Sequence, residues 1–208
     1  MGLLFAFILQ LLIVLFISTV LGVIAGCITA LVCNPEKRKR KILVAFLSPY
    51  FFLITFGVSG LIGSIAVSMM KNIDIGVGDC WRVPLSDNYL FMAIDEPDVA
   101  YIRADDAYGG SLVDGITEIQ LTDSLAVGKT TKQSYFTFNI HNAHIRNYVT
   151  EEELEEALPE LTLDLHDSSQ FISERYESVA GGWLMGVGIF ALCMACGVVY
   201  LLKKLVLR

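Results

Sequence analysis

Histidines and cysteines at ligand-like spacings are the first residues of this chain that could do chemistry. His141 and His144 form an H-x-x-H pair, and Cys193 and Cys196 form a C-x-x-C pair. Two imidazoles one helical turn apart can hold zinc, and paired thiols can exchange disulfides. The histidines, however, fall between two predicted strands with no third ligand nearby, which favours exposed turn histidines. The cysteines are embedded in a long apolar run, which favours two small residues of a membrane helix.

A second pattern, residues 127–131, ends like a phosphate-binding loop. It contains the Gly-Lys-Thr of that motif, but Asp123 stands where the first glycine of the motif is needed. The motif should also open a helix, whereas further strands are predicted here. We therefore interpret residues 127–131 as a hairpin turn.

Acidic and hydroxyl side chains in the same region carry two weaker signals. Residues 95–98 and 105–106 gather carboxylates, which calcium prefers, but without the spacing of a calcium-binding loop. Ser111, Asp114 and a histidine would supply the groups of a hydrolytic triad, yet no nucleophile elbow accompanies them. We therefore predict no catalytic residue, no metal and no cofactor, and a protein that is not an enzyme. A hydrolase is the alternative.

Three long apolar runs dominate the rest of the chain. The composition is 54% hydrophobic and 18% charged, whereas soluble domains carry about 25% charged residues. Runs without a charged side chain cover residues 1–33, 42–70 and 178–202. Each run exceeds the roughly 20 residues that cross a bilayer. The sequence therefore predicts a membrane protein with transmembrane helices over residues 1–33, 42–71 and 180–203.

The region between the second and third runs is acidic and rich in strand patterns. Residues 72–180 contain 21 Asp and Glu against six Lys and Arg, a net charge of −15, which argues against nucleic-acid binding. Short apolar runs separated by turn residues predict an antiparallel sheet, so we expect an inserted α+β or small β-barrel-like domain over residues 72–179. Strands are predicted over 80–85, 89–94, 99–103, 116–121, 125–127, 134–140, 145–149 and 161–165, and helices over 151–158 and 168–179.

Two basic clusters predict how the chain crosses the bilayer. Short loops rich in Lys and Arg stay on the cytoplasmic side. The basic loop 34–41 and the tail 204–208 are therefore predicted inside, with the N-terminus and the acidic domain outside, in an inner or plasma membrane. The residues that determine this orientation are Lys37, Arg38, Lys39, Arg40, Lys41, Lys203 and Lys204.

Small residues recur on one face of the apolar runs. Such residues let helix backbones approach closely, which drives association in lipid. We predict helix packing, within the chain, between chains or both, through Ser18, Gly22, Gly26 and Thr29 in the first run and Gly182, Gly186, Cys193 and Gly197 in the third. A hydroxyl-bearing face of the second run is a candidate pore lining, formed by Ser48, Thr55 and Ser59.

These features favour a non-enzymatic membrane subunit over a transporter. The interiors of the apolar runs carry no Asp, Glu, Lys, Arg or His, and proton relays or coupled transport normally require such groups. We expect a subunit that forms a homo-oligomer or joins partner membrane proteins and presents an extracytoplasmic domain for sensing or docking. The alternative is an oligomeric channel or membrane-perturbing effector that the outer domain gates. The predicted partners are thus the lipid bilayer and either further copies of this chain or another membrane protein, with no nucleic acid.

Overall fold

The chain divides into a helical unit and a sheet unit. The computed structural model describes residues 2–33, 35–74, 79–106 and 110–207, with the side chains of the first helix from residue 9 onward. The predicted boundaries at Met1, Asn34 and Arg208 lie outside these residues. The helical unit comprises Met1–Ala66 and Trp183–Arg208, and the sheet unit comprises Val67–Gly182.

Long apolar helices form where the charge-free runs predict them. The α-helices of the described residues are α1 (Gly2–Val32), α2 (Arg38–Lys71), α3 (Glu151–Ala157), α4 (Ser168–Tyr176) and α5 (Gly182–Leu207), and a π-helical turn, Glu177–Gly181, precedes α5. Three helices are long and apolar enough to cross a membrane, as predicted, by length and composition. Because α2 begins at Arg38, the basic residues 38–41 lie in its first turn and not in the preceding loop.

The sheet unit is an antiparallel meander. Its strands are β1 (Cys80–Pro84), β2 (Tyr89–Ile94), β3 (Ala100–Ala104), β4 (Ser111–Leu121), β5 (Leu125–Thr130), β6 (Tyr135–Asn139), β7 (Ile145–Tyr148) and β8 (His166–Asp167). Strands β1 to β7 pair in chain order, and β8 pairs with β4. The predicted antiparallel sheet is thus confirmed. Among the described strands it is open, with β1 and β7 at its edges, and not a barrel.

Aromatic side chains fill the main core between the sheet and α4. Phe91, Phe136 and Phe138 are fully buried. Phe171 of α4 meets Phe91 edge to face, with ring centroids 5.2 Å apart. The hydroxyl of Ser168 donates to the carbonyl of Ile116 at 2.9 Å and fixes the start of α4 on β4. These aromatic side chains belong to one apolar cluster of the sheet, which α4 covers.

A smaller cluster packs α3 against the sheet. Leu154, the buried residue of α3, meets Val127 and Tyr135. Thr150 caps this helix by accepting a hydrogen bond from the amide of Glu153 at 3.3 Å.

The predicted strand over residues 161–165 is wrong, and a side chain of β4 explains why. The Gln120 amide donates to the carbonyl of Thr162 at 3.0 Å and accepts from the amide of Asp164 at 2.8 Å. These two side-chain bonds replace the backbone hydrogen bonds that a strand would make here, so the backbone of this segment pairs with β4 only at His166–Asp167. The leucines of the segment, Leu161, Leu163 and Leu165, pack against the smaller cluster.

Both edges of the sheet are covered or short. At β1, the amide of Asp74 donates to the carbonyl of Arg82 at 3.1 Å. The Arg175 guanidinium donates to the carbonyl of Pro84 at 2.9 Å. At the other edge, β7 has four residues, and Arg146 and Asn147 in its middle are exposed. Few backbone groups of the edges are thus open to another strand.

Truncating the contact between α4 and the sheet should loosen the sheet unit. We expect Phe171→Ala to destabilise it by about 3 kcal/mol, since the change removes a buried ring and leaves a cavity. Hydrogen exchange of the full-length protein in detergent should show faster exchange in β1 and β4. Phe51→Ala is the matched control, because Phe51 is exposed in α2; equal effects of the two changes would contradict the packing described.

Candidate functional site

The predicted small-residue face of α1 is the face that packs within the chain. Ser18, Gly22 and Gly26 are buried and Thr29 is half-buried, whereas most of their neighbours are exposed. A Cβ atom added at Gly22 would lie 2.6 Å from the carbonyl oxygen of Phe46, so the backbones of α1 and α2 are in contact there. A larger residue at Gly22 has no room.

A hydrogen bond between side chains also joins α1 and α2. The Tyr50 hydroxyl donates to the Thr19 hydroxyl at 2.8 Å, and Thr19 in turn donates to the carbonyl of Leu15 at 2.7 Å. Bonds of this kind between membrane helices contribute about 1 kcal/mol. The pair thus holds α2 next to the glycine contact.

The third helix of the helical unit packs through a different face from the predicted one. A Cβ atom at Gly63 of α2 would lie 2.5 Å from Cγ1 of Val187, and Ala191 and Ala195 of α5 are fully buried. Counting alanine among the small residues would have revealed this face from the sequence, because Ala191 and Ala195 lie one helical turn apart on it.

The predicted face of α5 is left uncovered by the described residues. Its four members, Gly182, Gly186, Cys193 and Gly197, are all exposed. No heavy atom of the described structure, apart from the chain neighbours and the helix backbone, lies within 4 Å of a Cβ atom added at its glycines. Helix α5 therefore has one small-residue face that is used within the chain and a second that is not.

The hydroxyls of the predicted pore face bond mainly to their own helix. Ser48 donates to the carbonyl of Val44 at 2.6 Å, and Ser59 donates to the carbonyl of Thr55. Ser48, Thr55 and Ser59 are half-buried. The pore lining stays a prediction, and two of its three hydroxyls already have acceptors.

Basic residues near the α1–α2 connection bind the carboxyl ends of other helices. The Lys37 ammonium donates to the carbonyl of Leu207 at 3.0 Å, and the Arg38 guanidinium donates to the carbonyl of Ala30. Cations at helix C-termini are favourable, because the carbonyl ends carry partial negative charge. The other predicted topology residues, Lys39, Arg40, Lys41, Lys203 and Lys204, lie in the first turn of α2 and the last turns of α5.

The histidine pair lies in an exposed turn between β6 and β7, as predicted. The amide of His141 donates to the Asn139 side chain at 2.9 Å, and the amide of His144 donates to the Asn142 side chain at 3.0 Å. Within the described residues, no group of three or more His, Cys, Asp or Glu side chains could hold a metal.

The Gly-Lys-Thr pattern is part of a strand, so its interpretation as a turn is wrong. Gly128 lies inside β5, where a Cβ atom would be 2.5 Å from the carbonyl of Glu118 and 2.7 Å from the Phe136 ring. The glycine is therefore needed for close strand packing. Lys129 pairs with Glu118 at 3.8 Å.

The structure does not bring the candidate triad residues Ser111 and Asp114 close to His141. The Ser111 hydroxyl donates to the Asp114 carboxylate at 2.7 Å, but both lie at the start of β4. The turn with His141 is next to Ser124, at the opposite end of the strand, since the amide of Ile140 donates to the carbonyl of Ser124. At about 3.3 Å per residue, roughly 30 Å of strand separates the two places.

Cys80 and Trp81 belong to the sheet and not to a reactive site. Burial, with the nearby Asp74 carboxylate, raises the pKa of the Cys80 thiol, which keeps it protonated and unreactive near neutral pH. Trp81 is half-buried and packs against the main core. The cysteine pair, Cys193 and Cys196, is exposed on α5.

His166 is a notable polar residue that sequence reasoning missed. Its Nδ1 lies 3.1 Å from a Glu174 oxygen, and its Nε2 lies 3.5 Å from an Asp164 oxygen. The hydrogen bond with Glu174, helped by Asp164, raises the pKa of His166. The signal in the sequence was its position two residues after Asp164 and eight residues before Glu174.

Comparisons with known proteins yield no match: no family model, no curated protein and no solved structure is significantly similar to this chain.

Adding a methyl group at the α1–α2 contact should weaken the helical unit. We expect Gly22→Ala to cost about 2 kcal/mol, because the new atom meets a backbone carbonyl. Titration from mild detergent into a denaturing one, followed by circular dichroism, measures the loss. Gly57→Ala is the control, since a Cβ atom at Gly57 meets nothing within 4 Å; it should be neutral or stabilising, and the same loss in both variants would refute the contact.

The His166 cluster should make the sheet unit more stable below neutral pH. Because the folded pKa is raised above the ordinary 6.5, this stabilisation is complete below about pH 6.5 and is lost as the pH rises through the raised pKa. The difference in melting temperature between wild type and His166→Gln should thus be larger at pH 5.5 than at pH 8. His141→Gln is the control, and a difference independent of pH would count against the cluster.

Proposed function

We propose that this protein is a non-enzymatic membrane subunit that associates through α5 with copies of itself. The uncovered face of α5 carries the proposal. Gly186 and Gly197 leave open space on a helix whose other small-residue face is already occupied. In lipid, such a face packs favourably only against another helix, because lipid chains do not match its shape as closely.

Cys193 and Phe190 add detail to this face. Gly186, Phe190, Cys193 and Gly197 follow one another at helical spacings of four, three and four, so they lie on one line. The exposed Phe190 ring is then a projection between small residues. A second copy that crosses α5 could place its ring over a glycine.

The proposed location is a cell membrane, with the sheet unit outside the cytoplasm and both basic clusters inside. The Lys37–Leu207 hydrogen bond supports this arrangement, because it brings the α1–α2 connection and the end of α5 together. The positive-inside rule then assigns both clusters to one side. Within the subunit, the acidic sheet unit serves as the sensing or docking part. No contact described above favours the channel alternative.

Light scattering of the full-length protein in mild detergent tests the proposal. We expect an oligomer for the wild type and a shift to the monomer for Gly186→Leu and Gly197→Leu, since leucine fills the space a second helix needs. Gly57→Leu is the matched control, also at an open glycine.

A monomeric wild type that binds a membrane protein, with binding lost in the same two variants, would redirect the proposal to a different partner. A monomer without a partner, or equal effects of all three leucines, would refute it.

A further inference from the structure

An apolar groove runs between α1 and α2 beside the basic residues. Its volume is about 460 Å³. Helix α1 contributes Cys27 and Ala30 to its walls, and α2 contributes Ile42, Leu43 and Phe46. Lys39 also lines it, so an apolar groove has a positive charge on its wall.

The charge lies at one end of the groove. Lys39 is the second residue of α2, and Phe46 lies two turns further along the helix. With a rise of 1.5 Å per residue, the apolar walls extend about 10 Å from the lysine. A ligand that matches a positive charge at one end and apolar walls along the rest of the groove has an anionic group joined to a hydrocarbon chain.

The concentration of positive charge at the start of α2 independently favours a bound anion. Its first turn contains Arg38, Lys39, Arg40 and Lys41 and no acidic residue. The N-terminal end of a helix already carries partial positive charge, so these four cations add to a positive potential and are repelled by it. A phosphate at this position would offset that repulsion. Lys37 and Arg38 hold helix carbonyls, whereas Lys39 is exposed and lines the groove.

We propose that this groove binds one acyl chain of an anionic phospholipid, with the lipid phosphate at Lys39. Basic pockets between membrane helices bind such headgroups on the cytoplasmic side. The inference rests on the membrane location proposed above, but not on self-association. A free phosphate is not the expected ligand, because it would leave the apolar walls of the groove unused.

Native mass spectrometry of the full-length protein in mild detergent tests the site. Phosphatidylglycerol and phosphatidylcholine with identical acyl chains are titrated separately. We expect phosphatidylglycerol to bind about tenfold more tightly, because phosphatidylcholine carries, next to the same phosphate, a choline cation that the basic residues repel. Lys39→Gln should remove this preference, and Lys204→Gln, which alters an exposed lysine outside the groove, should retain it.

A second pair of variants tests the acyl chain. Cys27→Phe fills the groove from an exposed position and should weaken binding of both lipids. Ile28→Phe changes the next residue, which is exposed and does not line the groove, and should have no effect. Glycerol phosphate, which lacks acyl chains, should not compete.

Several results would overturn the proposal. They are equal binding of the two lipids, equal losses in the two lysine variants, no effect of Cys27→Phe, or full competition by glycerol phosphate. The same spectra report the mass of the protein, so failure of self-association is read separately from failure of lipid binding. A protein that fractionates away from membranes would instead refute the location itself.

Discussion

The contact between Gly22 and the carbonyl of Phe46 is the constraint on which the helical unit depends. Lipid gives membrane helices little hydrophobic reason to associate, so close backbone approach and a few polar bonds must hold them. Gly22 permits that approach, and the Tyr50–Thr19 bond secures it. One turn further on, a Cβ atom at Gly26 would meet Ile42 and Phe46 only at ordinary distances. The helices thus begin to separate there, and the groove opens beside them.

The sheet unit is held by different forces. It has a dense aromatic core, and its 21 acidic against six basic residues over 72–180 mean that most carboxylates lack a basic partner within the unit. Mutual repulsion of these charges opposes compaction. Burial of Phe91, Phe136 and Phe138 must offset it. The stabilisation from the filled core therefore offsets the repulsion between the acidic side chains.

The features that the sequence predicted share a local cause. Charge-free runs predicted the apolar helices, and short apolar runs between turn residues predicted seven strands, because each of these patterns lies within a single element. The wrong predictions concern segments whose structure depends on a contact with a residue of another element. Gln120 replaces the ladder beside residues 161–165, and the Phe136 ring requires a glycine at position 128. The face of α5 that packs within the chain likewise depends on Gly63, which lies more than a hundred residues away in the chain. His166 lies on β8, which pairs with β4, and it contacts Glu174 of α4.

The covered edges of the sheet have a further consequence if the proposed membrane location holds. In the proposed membrane setting, neighbouring sheet units would face one another at high local concentration, where exposed strand edges readily pair and aggregate. Here Asp74 and Arg175 occupy carbonyls of β1, and β7 is short and polar at its centre. In that proposed setting, subunits could approach one another in the membrane plane without pairing their sheets, and the proposed association would be left to the helices.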